Sequence, residues 1–271
     1  MERFPILEAH ILDGKPVVPF ALMSEWLGYC ALHEFLSGID DMRLLQGIRI
    51  DQQKKMIRLM AGKPIKKGAD FEVAVEIRDG FKDGREVIHS SAKAILTDKL
   101  LPSPAYKIPP DLAVQSYERS VDEVYRKILF HGSDLRGIRK IVSCNRRGMM
   151  ARLSTAPPPR KWMNEPLRSR WIGDPLVLDS AFQMAIVWCF EEMGVVSLPS
   201  YSASYRQYRD VFPQDGVAAI LEVQEATDRK MKGDFTFLDA ENVVIARLTG
   251  YEAVMDADLY RAFKPMLVAS A

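Results

Sequence analysis

The sequence predicts an α+β protein built from two similar units side by side, and three observations carry that expectation. Two apolar stretches have helical spacing, each is followed by a series of extended segments, and a proline-rich stretch with neither period lies between the two series. The expected division is an N-terminal unit over residues 1–104, a linker over 105–116 and a C-terminal unit over 117–271. The units match in patterning, not in residue identity.

Residues 19–36 read PFALMSEWLGYCALHEFL, where Leu22, Met23, Trp26, Leu27, Cys30, Ala31 and Phe35 recur at helical spacing. This predicts a largely buried helix that opens at Pro19. Ser37 and Gly38 read as its break, and strands are expected over 43–50, 55–60, 71–78 and 86–96. The run from Phe71 to Ile77 alternates as a half-exposed strand should, and Gly80 and Gly84 bracket a hairpin turn. Residues 101–113 (LPSPAYKIPPDLA) form the irregular crossing. In the second unit, GDPLVLDS reads as a turn leading into an apolar helix over 179–193. Strands are expected after it over 204–211, 217–225, 233–238 and 243–254. Segments 145–149 and 157–171 read as interruptions; the second carries Arg160, Lys161, Arg168 and Arg170, either a solvated face or a docking patch for an acidic partner.

Composition narrows the function classes. A hydrophobic content of 48% with 27% charged residues is that of a soluble globular protein, and a net charge of +1 argues against nucleic-acid binding. Cys30, Cys144 and Cys189 are widely spaced; Cys30 and Cys189 fall in helical patterns and read as buried thiols. Neither a secretory signal nor a membrane-length apolar run is present, so a cytoplasmic protein with no membrane partner is expected. With its first motif at residue 10, the chain reads as an excised domain. His10, His33, His89 and His131 lie far apart with no HExxH or paired CxxC, so no metal is expected. Gly132 and Gly137 fit neither a Walker loop nor a dinucleotide fingerprint, and GxSxG is missing, which leaves phosphate transfer, hydride transfer and serine hydrolysis unsupported.

What remains is His10 in the first unit and Asp179 in the second, each before or at the start of a buried helix. Taken singly, Asp179 also suits a helix N-cap and His10 a surface turn. Taken together, histidine suits proton transfer near neutral pH, and an aspartic acid in a poorly hydrated cleft can keep a proton to donate.

Four motifs then resemble one family. His10, Gly14 and Pro19 satisfy HxxxGxxxxP; DPLVLDSAFQ places Asp179 four residues before Gln183; LFHGSDLRGI sets His131, Gly132 and Gly137 in register with a motif close to YGPxFQG; and SLPS follows the second helix. Together they resemble the dehydratase domains of modular polyketide synthases and of polyunsaturated fatty acid synthases. Departures fall in the third motif, where His131 replaces the usual tyrosine, Ser133 the proline, and Leu135-Arg136 the Phe-Gln pair.

The resemblance implies a double hotdog, two antiparallel sheets each wrapping a long central helix. It implies dehydration of a β-hydroxyacyl thioester on an acyl carrier protein to the α,β-enoyl thioester, with enoyl isomerisation or non-catalytic carrier binding as alternatives. His10 would be the base and Asp179 the acid, with Gly14, Pro19, His131, Gly132 and Gln183 positioning the substrate. No cofactor would be held beyond the carrier's phosphopantetheine. Partners would be the carrier and other synthase domains, and a homodimer is compatible. The basic residues Arg136, Arg139, Lys140, Arg146 and Arg147, or the 160–170 run, are candidates to receive an acidic carrier.

Overall fold

The computed structural model describes residues 3–31, 35–51, 55–112 and 116–263. A 3-10 turn over Pro5–Ala9 leads into a small hairpin, β1 (Ile11–Leu12) and β2 (Lys15–Pro16), and then helix α1 (Phe20–Ala31). Strands β3 (Phe35–Leu44), β4 (Arg58–Ala61), β5 (Ile65–Lys67), β6 (Asp70–Lys82) and β7 (Arg85–Thr97) follow. Residues 101–109 cross without regular structure to α2 (Val121–Lys127), β8 (Ile138–Asn145) and β9 (Gly148–Leu153). Helix α3 (Pro175–Met193) comes next, and β10 (Ser197–Gln207), β11 (Val217–Ala226), β12 (Lys230–Leu238) and β13 (Val244–Met255) complete the order.

Helix α3 has clear start and stop signals. The Asp174 carboxylate accepts from the Leu176 and Val177 N–H groups at 3.0 and 2.9 Å, Pro175 occupies the first turn, and Gly194 closes the helix in the left-handed region. Its residues are buried from Pro175 through Cys189, as expected of a helix that is apolar on every side.

The strands of the two units were expected as two sheets. They form one antiparallel sheet instead, in the order β4-β6-β7-β3-β10-β13-β12-β11-β9-β8, with β5 on β6. The seam is β3 against β10, in register from Gly38 opposite Arg206 to Arg43 opposite Tyr201. Two strands that would otherwise be open edges satisfy each other's backbone groups there. The Arg206 guanidinium grips the Asp40 carboxylate across the seam, one of its two bonds measuring 2.7 Å. Helix α1 packs on β3, β4, β6 and β7, whereas α3 packs on β8, β9, β10 and β11.

Several expected boundaries move. Helix α1 ends at Ala31, and Phe35 and Leu36 already pair with Thr97 and Leu96 of β7, so Ser37-Gly38 lies within a strand. His33 lies outside the described residues. The expected interruption at 145–149 is the turn of the β8–β9 hairpin. Exposed Arg139 and Lys140 alternate imperfectly with buried Ile138, Ile141 and Ser143, which hid β8 from its period. Helix α3 begins at Pro175 instead of 179 because Asp174 takes the cap. The cysteines are free thiols, Cys189 buried but Cys30 only half-buried at the end of α1. No helix among the described residues is long and apolar enough to cross a membrane.

One buried carboxylate ties α1 to the start of α3. Glu25 accepts from the backbone N–H groups of Ile172 at 3.0 Å and Gly173 at 2.6 Å, immediately before the Asp174 cap. Replacing Glu25 with Ala strands both donors, and an unpaired buried polar group costs about 1–3 kcal/mol. Glu25→Ala is therefore expected to lose roughly 2–6 kcal/mol, and Glu25→Gln, which keeps an acceptor, distinctly less; urea denaturation of the three chains checks the order.

Candidate active site

The stretch from His10 to Pro19 is a device for aiming one imidazole. Asp13 and Gly14 both have positive φ, 52° and 71°, the signature of a type I′ turn, and they fold β2 back on β1. The reversal brings Val17 alongside His10: the Val17 N–H donates to the His10 carbonyl at 2.9 Å, and the His10 Nδ1 lies 2.7 Å from the Val17 carbonyl oxygen. A carbonyl only accepts, so Nδ1 carries the proton and Nε2 keeps its lone pair. Pro19 then starts α1, its carbonyl accepting from Leu22 and Met23 at 3.0 Å. Gly14 therefore acts through the turn, and a Cβ there would meet no protein atom within 4 Å.

Asp179 stands on the second turn of α3, so its N-cap account is excluded by Asp174. Gln183, four residues on, donates to Asp179 Oδ2 at 2.7 Å and to the Leu135 carbonyl at 2.8 Å. Its amide oxygen accepts from the Tyr125 hydroxyl at 2.7 Å, and that hydroxyl accepts in turn from the Ile138 N–H at 3.0 Å. Gln183 thus holds the carboxyl in place with no donor to spare for a substrate hydroxyl.

The third segment closes the site from the other side. The Gly132 N–H donates to the Ala9 carbonyl at 2.8 Å, and a Cβ on Gly132 would fall 2.9 Å from the Ala9 Cα. Only glycine permits that approach, which sets His131 in a β-bridge with His10 and their rings 5.3 Å apart. His131 Nε2 lies 3.5 Å from Asp179 Oδ2. One nitrogen of each imidazole and one carboxylate oxygen fall within 4.8 Å of one another. Three residues from distant parts of the sequence meet here.

They line a cavity of about 480 Å³ with a mostly apolar wall that includes Val17, Phe20, Met23, Phe130, Phe182 and Ile186. Its rim carries Gln46, Arg49, Asp51 and Lys55. Burial dominates the electrostatics. It pulls the His10 imidazole down to about 4, against the opposing hydrogen bond to Val17. Burial, with His10 beside it, holds His131 well below the ordinary histidine value. The same burial pushes the Asp179 carboxyl up to about 7, although the Gln183 bond opposes it. At pH 6 the site therefore holds neutral imidazoles and a protonated carboxyl.

Of the large apolar residues of the two helices, Met23 and Phe182 line the cavity; Trp26 packs edge-on against Phe4, and Trp188 donates to the Asn145 carbonyl at 2.8 Å. His89 is buried in β7, its Nδ1 3.0 Å from the Gln46 carbonyl oxygen. Arg136 leans over the Tyr125 ring at 5.2 Å, and Arg160, Lys161, Arg168 and Arg170 are exposed. Tyr125 and Val17 were not among the expected residues. Val17 acts through its backbone, which no side-chain pattern reports; Tyr125 lies in an ordinary short amphipathic helix.

Residues 107–255 match the family model described as the polyketide synthase dehydratase N-terminal domain, a span that holds Asp179 and His131 but not His10. Over 231 residues, 77% of the chain, the sequence is 28% identical to one of the subunits of the polyunsaturated fatty acid synthase of Thraustochytrium sp., and it spans only 8% of that relative. Among solved structures, the dehydratase domain from the CurF module of curacin polyketide synthase aligns with a TM-score of 0.70 at 18% identity, covering 93% of this chain and 88% of the other. A trans-AT polyketide synthase dehydratase domain from Brevibacillus brevis aligns with a TM-score of 0.73 at 16% identity, covering 93% and 90%. At these identities the structural likeness speaks for the fold.

The raised Asp179 value has a sign that can be tested. Because the folded state binds this proton more tightly than the unfolded chain does, the stability that protonated Asp179 brings is full below its ordinary value of 3.8 and is lost as pH rises through about 7. Asp179→Asn, which cannot ionise, is expected to gain on wild type by up to about 4 kcal/mol between pH 4 and pH 8. Denaturant titrations of both chains at the two pH values measure it; a constant difference between them would contradict the assignment.

Proposed function

The chain belongs to the polyketide synthase dehydratase family, and on that premise we propose that it removes water from a β-hydroxyacyl thioester to leave the α,β-enoyl thioester. One observation carries the reading: the His10 imidazole, its Nδ1 fixed on the Val17 carbonyl and its Nε2 free, and the buried Asp179 carboxyl line the same largely apolar cavity. His10 Nε2 takes the α-proton. Negative charge grows on the thioester oxygen, where fixed donors are worth most. Pro19 accepts from Leu22 and Met23, and the N–H groups of Phe20 and Ala21, first in α1, have no acceptor within the helix. Asp179 gives its proton to the departing β-hydroxyl, which leaves as water. Gln183 keeps the carboxyl aimed, and His131, 3.5 Å from it, borders the path of the leaving group.

The N-terminal unit, 1–104, then supplies the base and the C-terminal unit, 117–271, the acid, joined through 105–116 in the family's double-hotdog manner. The substrate arrives on the phosphopantetheine arm of an acyl carrier protein, and the cationic side chains of Arg49 and Lys55 at the rim suit its phosphate. No cofactor of the chain's own enters this chemistry. Other synthase domains are the expected neighbours, since the curated relative belongs to a synthase and this chain spans 8% of it.

The test is turnover of a β-hydroxyacyl carrier, or a small thioester surrogate, followed by mass spectrometry for loss of water. Removing a general acid or base costs roughly 100- to 10,000-fold, so His10→Ala and Asp179→Asn should each fall by that much while still binding substrate. For wild type, kcat/KM should decline below about pH 4 as His10 gains a proton and above about pH 7 as Asp179 loses one. A chain that binds the acyl carrier and forms no enoyl product would refute the reading.

A further inference from the structure

The same pocket holds a second chemical possibility that does not depend on turnover. His10, His131 and Asp179 are buried, come from three separate segments, and present donor atoms within 4.8 Å of one another. Two imidazoles and one carboxylate, open on one side to a cavity, form the donor set of a four-coordinate zinc-type site with water in the last position. Tetrahedral coordination at metal–ligand distances near 2.0–2.1 Å sets donors about 3.4 Å apart. The His131 Nε2 to Asp179 Oδ2 separation is already 3.5 Å, so only the side that involves His10 has to close.

The surroundings point the same way. The His10 Nδ1–H donates to the Val17 carbonyl, the outer bond that fixes the tautomer and aim of a metal-binding histidine, and it leaves Nε2 free. Gln183 donates to Asp179 and orients that carboxyl as an outer partner would.

We propose that His10, His131 and Asp179 form a binding site for a divalent transition metal ion of the zinc class, and that the ion acts as an inhibitor. The ion takes the lone pair that His10 would use as a base and displaces the proton that Asp179 would donate. Metal and thioester then compete for one cavity. The spacing of histidines along the sequence concealed this set, because β-bridge and hairpin, not a helix, bring its members together.

Cobalt(II) is the probe, since its visible absorption reports coordination directly. Titrated into the full chain without a histidine tag, it should bind one to one, give the intense absorption of a four- or five-coordinate ion, and be displaced by zinc. His131→Ala and Asp179→Asn should each abolish that spectrum; two variants are used so that a folding defect in one, checked by circular dichroism, does not decide the outcome. Gln183→Ala should weaken binding about 10- to 100-fold as the loss of an outer partner does. Absence of stoichiometric binding to wild type, or a spectrum unchanged in folded His131→Ala and Asp179→Asn, overturns the site. A chain that binds cobalt but dehydrates nothing keeps the metal site and sinks the dehydratase reading. A chain that dehydrates but ignores both metals does the reverse.

Discussion

Everything at the site depends on two units staying in register, because the imidazole and the carboxyl belong to different ones. The pairing of β3 with β10 is the constraint that fixes that register. It turns two sheets into one by pairing the strands that follow the two helices. Glu25 then ties α1 to the residues before α3, and the Phe20 and Phe182 rings, 5.6 Å apart, meet where the two helices approach. A shift of one residue along the seam would reverse which side chains point inward, so the geometry of the acid–base pair is inherited from backbone hydrogen bonds far from the chemistry.

Burial then does opposite things to the two groups. It disfavours charge on both, and because histidine is charged with its proton and aspartic acid without it, one site ends with a base that is free and an acid that is loaded. The hydrogen bonds decide aim more than charge. Val17 determines which imidazole nitrogen is exposed, and Gln183, itself held by Leu135 and Tyr125, determines where the carboxyl points. Folding energy is spent on keeping polar groups dry, as sites that need perturbed protonation generally require.

The sequence made the pair legible and left its supports hidden. His10, Gly14 and Pro19 could be read because they are three different things in a fixed order, a base, a left-handed turn residue and a helix start. Asp179 and Gln183 could be read because helical spacing stacks them. Asp174 was the harder residue, since two aspartates compete for one cap and only the position of Pro175 at the first turn decides between them. The seam was illegible: Ser37 and Gly38 look like a helix break, and nothing in a strand's own period names its partner in the other unit. Val17 has no sequence signal at all, because it acts through its carbonyl.

His131 is where this chain departs most from the pattern its motifs resemble, and the structure gives the departure chemical weight. A phenol at that position would be a hydrogen-bond donor that stays protonated near neutral pH. An imidazole offers two nitrogens, and only one of them is close to Asp179. The other has no partner among the described residues and lies beside the Phe130 ring, where an unsatisfied nitrogen costs stability. Such a cost persists through folding only if neighbouring contacts over-determine the ring, and here the Gly132 bond to Ala9 and the bridge to His10 do so. The same packing that makes His131 expensive therefore also keeps it within reach of His10 and Asp179. Substrate, water and metal ion are thus alternatives for one set of three donors.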